Sequence, residues 1–217
     1  MAFRSHLSKT SKIDRAIVLA LSMGELLVQG GERIGIMGGR ARTGQTAVTK
    51  LALSIARRVD DPTLGSSSLP PPAALGAFSE CLLFSDFLEP IEMLAPHLER
   101  LAVQGVRGHL IQVLDPAEET LPYHGRTEFT AAETGERMIA GRAETLRERY
   151  QERMGKHREQ LLDLLRRLEW SLLVHHTDHP PEEALLALHG RLAGLEHDYR
   201  YRPPAESTRT EAAGQAS

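Results

Sequence analysis

Short apolar runs, spaced by longer helical stretches, constrain this chain more than any other feature. Residues 33–37 (RIGIM), 80–84 (ECLLF), 106–114 (VRGHLIQVL) and 170–174 (WSLLV) have the length and apolar continuity of buried strands. Between them apolar residues recur at i, i+3 and i+4. From Lys12 onward Ile13, Ala16, Ile17, Ala20, Leu21, Gly24 and Leu27 mark a helix, with Ser11 as its N-cap and Gly30-Gly31 as its stop. Residues 46–58, 90–104, 133–169 and 180–195 predict further helices, and residues 126–130 a short strand suited to a sheet edge. Such alternation implies an α/β fold, a doubly wound and mostly parallel sheet covered on both faces. Ligands of such sheets sit beyond the carboxyl ends of the strands. Chemistry is therefore expected in the loops after Met37, Phe84, Leu114 and Val174.

Charge and composition remove several function classes. Lys and Arg number 26 against 29 Asp and Glu, a formal net charge of -3, so no global basic field draws nucleic acid or anionic lipid. Aromatic residues are 5% of the chain with a single Trp170, which argues against stacking platforms for single strands. One cysteine, Cys81, excludes an internal disulfide and reads as a core thiol in an apolar strand. No apolar run nears the ~20 residues of a membrane span, and the polar N-terminus lacks the apolar core of a signal peptide. The expected location is the cytoplasm. Residues 1–11 read as a flexible segment, 60–77 as a mobile Ser- and Pro-rich loop, and 201–217 as a disordered tail.

Gly39, Gly44, Gln45 and Thr46 reproduce the spacing of a phosphate loop, G-x-x-x-x-G-K-[ST], except that Gln45 replaces the lysine. Gln cannot supply the charge that holds transferring phosphates, so a glycine-eased strand-to-helix turn is the favoured reading. Ser85-Asp86-Phe87 ends a strand, where an acidic side chain can hold a hard cation or fix a loop. His175, His176, Asp178 and His179 invite a zinc reading, but strand alternation sends the first two rings to opposite faces. Asp115, Glu118 and Glu119 form an acidic turn around Pro116, with solvated carboxylates the favoured reading. No Ser/His/Asp or Cys/His nucleophile set is apparent.

A resemblance runs through these same residues. Leu83-Phe84-Ser85-Asp86-Phe87, Val113-Leu114-Asp115-Pro116-Ala117-Glu118, Leu121-Pro122-Tyr123-His124-Gly125, Glu133-Thr134-Gly135-Glu136, Leu146-Arg147-Glu148-Arg149-Tyr150 with His157, and Thr177-Asp178-His179-Pro180-Pro181 follow in order. Together, over residues 12–195, they resemble the bacterial domain of unknown function 58 family. The resemblance implies a von Willebrand factor A-like domain over residues 12–200, with a metal-ion-dependent adhesion site at the sheet's carboxyl edge. Asp86 matches the late Asp of that site, and Thr46 or Thr43 its Thr. The D-x-S-x-S motif after the first strand is absent from this sequence.

In the family that motif is commonly followed by Met and then by a helix beginning near "S-K", as Met1, Ser11 and Lys12 stand here. The central first strand, beside residues 33–37 and 80–84, is therefore expected to be missing, through a misassigned start or a fragment. The resemblance further implies a non-enzymatic protein-interaction module, partner of a MoxR-type AAA+ ATPase in complex assembly or maturation. Its adhesion site would be incomplete. No cofactor is expected in this chain, and Mg²⁺ only in an intact relative. The alternatives are a degenerate phosphate-loop nucleotide-binding protein and an inactive fragment.

Overall fold

The computed structural model describes residues 1, 3–60, 69–130 and 137–194. The expected acidic Glu133-Thr134-Gly135-Glu136 turn, most of the Ser-rich loop and the C-terminal tail lie outside the described residues.

The fold is mixed α/β, with a small parallel sheet flanked by helices. In chain order the elements are α1 (Lys12–Gln29), α2 (Gln45–Asp60), β1 (Glu80–Ser85), α3 (Ile91–Ala102), β2 (Arg107–Leu114), α4 (Pro116–Thr120), β3 (Thr127–Thr130), β4 (Arg137–Ala140), α5 (Ala143–Leu168), β5 (Ser171–His176) and α6 (Pro181–Leu192). The main sheet runs β1-β2-β5, parallel throughout, while β3 and β4 form a separate antiparallel pair. Register sets Phe84 opposite Ile111 and Val113 opposite His175.

Strand alternation sorts the core into two layers. Cys81, Leu83 and Leu110 face α3 and α5, where Leu94, Leu98, Leu101, Leu161, Leu164 and Leu165 close over them. Ile111, Val113 and Leu173 face α1 and α6, against Leu19, Met23, Ala184 and Leu188. α1, α3, α5 and α6 each bury an apolar stripe, whereas the apolar face of α2 is only half-buried around Ala47. Ser11 caps α1 by accepting from the Asp14 amide, and Gly31 leaves it at φ +86°, a conformation that favours glycine. Trp170 lies over Gly108 so closely that a Cβ there would come within 1.9 Å of the indole. Its Nε1 donates to the Val106 carbonyl at 3.2 Å.

Three expectations need correction. Residues 33–37 do not form a strand: they make one antiparallel bridge, Ile34 to Arg42. The turn between them is closed by Gly39 donating to the Ile36 carbonyl, and no described sheet strand pairs with it. The helix expected over 133–169 starts ten residues late, because Arg137–Ala140 pairs with Thr127–Thr130 and Gly141 and Arg142 separate that hairpin from α5. The acidic turn after β2 is a short capped helix, α4.

Candidate functional site at the carboxyl edge of the sheet

The carboxyl ends of β1, β2 and β5 bring together Asp86, then Asp115, Glu118 and Glu119, then His176 and Thr177. Asp115 is fully buried and is fixed by a capping box. Its Oδ1 accepts from the Ala117 amide at 2.9 Å, while Glu118 Oε2 accepts from the Asp115 amide at 3.0 Å. Ser5 closes the remaining valences: its amide donates to Asp115 Oδ2 at 2.8 Å and its hydroxyl to Oδ1 at 2.5 Å. The N-terminal residues, expected to carry little pattern, are thus bonded into the edge.

Lys12 is the centre of the cluster. It opens α1 at 2% exposure, and its Nζ donates to Asp86 Oδ2 at 2.8 Å and to Glu118 Oε1 at 2.6 Å. The Met1 amino group adds a charge 3.7 Å from Asp86 Oδ2. Burial alone would push the Asp86 carboxyl up, but Lys12 outweighs it and holds Asp86 below the ordinary range. Burial likewise opposes the Lys12 charge, and Glu118 and Asp86 together overcome it, so Lys12 lies above its ordinary value. A second pairing stands beside this one: Glu119 accepts from Arg158 at 2.8 Å and pairs with His176 Nε2 at 2.5 Å. The cost of burying Tyr150, reinforced by Glu118 and Glu119, pushes its phenol up to about 12.

The residues singled out from sequence are distributed unevenly. Asp86 lies in the cluster. Thr46 lies in the exposed first turn of α2, and Thr43 in the exposed loop before it; neither is joined to Asp86 by any described bond. The strand β5 continues through His176, so His175 and His176 leave on opposite faces. His176 meets Glu119, whereas both ring nitrogens of buried His175 lack a partner among the described residues. His179 meets His176 edge to face at 5.7 Å. Among the described residues no group of three or more His, Cys, Asp or Glu is placed to hold a metal ion.

The residue that sequence reasoning passed over is Lys12. A lysine in the first turn of an apolar helix reads as solvated, and only its place on the buried side of that helix hinted otherwise.

As donors for a divalent cation these residues do not fit. The Lys12 ammonium already bridges the two carboxylates that would have to turn to the ion, and its own charge repels one. Chemically the edge is a set of carboxylates, each held by fixed donors, with the Ser5 hydroxyl set against Asp115.

Residues 1–160 match the family model described as Protein of unknown function DUF58. No curated protein matches the chain. No solved structure matches it either. Among the described residues, no helix is long and apolar enough to cross a membrane.

Proposed function

The chain belongs to the DUF58 family, and from that premise we propose that it is a non-enzymatic protein-interaction module of von Willebrand factor A type. Its partner in this reading is a MoxR-type AAA+ ATPase, and its docking surface is the carboxyl edge of the sheet. The observation that carries the reading is the Lys12 bridge between Asp86 and Glu118. It stiffens an acidic edge with a fixed internal cation where a metal-dependent relative would hold Mg²⁺. Pre-ordered charge of this kind favours recognition, because little side-chain freedom remains to be lost on association.

The same reading places a further strand on the open edge of β1. Cys81 and Leu83 are buried on one face of β1, and Leu82 and Phe84 are partly buried on the other, the pattern of an interior strand. Yet β1 pairs on one side only among the described residues. Met37 packs with Cys81 in the layer under α3 and α5, its Sδ 3.9 Å from Cys81 Sγ.

The test is calorimetric titration of the chain with a purified MoxR-type ATPase, with and without ATP. Saturable binding is expected, weakened in Asp86→Asn and unchanged in Arg107→Ala, whose side chain is exposed at the far end of the sheet. Equal affinity of all three forms would remove the carboxyl edge as the docking surface. An absence of binding with and without ATP would remove the partner.

A further inference from the structure

A second surface stands apart from the acidic edge. Between the 34–42 loop and α2 lies a cleft of about 340 Å³. The loop is tied to α2 by Arg58, which donates to the Met37 carbonyl at 3.3 Å. Gly35 lets the two arms of the loop close, since a Cβ there would stand 3.1 Å from Ala41 Cα. Ile34, Ile36 and Leu51 give the cleft an apolar floor, and Arg40, Arg42, Lys50 and Arg57 stand around it. Among the described residues no acidic side chain lines it. None of the four cations has an ion pair among the described residues, in a chain whose net charge is -3.

We propose that this cleft docks an extended acidic segment of a partner protein that also carries aliphatic side chains. Unpaired cations of one sign, held close together on a net-acidic molecule, repel one another and favour an anionic occupant. Lys50 and Arg57 are seven residues apart on one face of α2, a span of about 10 Å. That exceeds a single phosphate and matches about three residues of extended chain. The apolar floor takes aliphatic side chains between the charges. Among the described residues no aromatic side chain lines the cleft for a nucleobase to stack upon.

The site is independent of the carboxyl edge, and so is its test. Anisotropy is measured on the full chain with a short labelled peptide in which Asp and Glu flank a Leu pair. Saturable binding is expected, weakening as salt rises and falling about tenfold in Arg40→Glu and in Arg57→Glu. Both side chains are exposed, so thermal melts of these variants should match the parent. Replacing the Leu pair by Ser should also weaken binding. No binding, parental affinity in both charge-reversed variants, indifference to the Leu pair, or tighter binding of a single-stranded oligonucleotide would each overturn the proposal.

Discussion

Lys12 keeps its charge in the interior because two carboxylates meet it, and that dependence is mutual. Removing the ammonium leaves Asp86 and Glu118 largely buried and uncompensated, a change that costs roughly 3–5 kcal/mol in a buried pair. Lys12→Met should therefore lower stability by about 3 kcal/mol at neutral pH, toward the small end because both carboxylates keep some solvent. Asp86 is held below its ordinary value of 3.8. Its contribution is thus present above that pH and is lost as pH falls through the lower folded-state value. Lys12 lies above its ordinary 10.5, so its contribution is complete below that pH and fades as pH rises past it. In Lys12→Met burial is no longer opposed by the ammonium and pushes the Asp86 carboxyl up, so the deficit should shrink as pH falls and that group protonates. Urea titrations of both proteins at neutral and acid pH measure this, and a deficit independent of pH would contradict it.

His175 presents the opposite case. Burial, with smaller contributions from Arg15, His176 and His179, pulls its pKa from 6.5 down to about 3. The folded chain holds the ring neutral while the unfolded chain protonates it, so stability declines as pH falls from 6.5 toward 3. The whole window amounts to roughly 5 kcal/mol. His175→Leu should flatten that decline and, with neither ring nitrogen bonded among the described residues, should cost little at pH 7. Melts across pH 7 to 4 that superimpose for the two proteins would refute it.

At the scale of elements, the contact between β2 and the residue before β5 sets what the sheet tolerates. Gly108 has Trp170 lying directly on its Cα, closer than any side chain could accept. Gly108→Ala must displace the indole or bend β2, and overpacking of this kind costs roughly 1–3 kcal/mol. Because Trp170 is the only tryptophan, its emission reports the displacement directly. A variant with the parent's spectrum and melting temperature would show that the strand yields freely.

Apolar spacing alone made α1, α2, α3, α6, β1, β2 and β5 legible, since each buries one stripe or both faces of a run. The failures have physical causes. RIGIM reads as a strand by content, but a strand exists only with a partner, and the 34–42 segment bridges to itself instead. Residues 137–140, expected within the long helix, pair with β3 instead, a tertiary choice that a charged stretch does not advertise. Asp86 was legible as an edge carboxylate. Its counter-ion was not, because Lys12 and Asp86 are 74 residues apart and only the fold brings them together.

For the whole molecule, the deciding feature is a parallel sheet in which, among the described residues, three strands take part and only β2 is paired on both sides. Successive amides of a strand point to alternate neighbours, so about half of those in β1 face β2 and half face away. The outward set meets no described backbone partner. Amides without ladder partners exchange through local opening, whereas those of the central strand need global unfolding. Hydrogen exchange on dilute protein should accordingly rank β2 slowest and split β1 into a slow inward set and a fast outward set. An apolar edge with open ladder groups is also a template for pairing with another chain. Raising the protein concentration should then slow the outward set of β1 and leave β2 unchanged, in parallel with larger species in sedimentation. Uniform slow exchange of β1 in dilute solution would mean that the edge is already covered. The strand proposed for that flank would then have no vacant seat, and the reading of β1 as an interior strand awaiting a neighbour would fail with it.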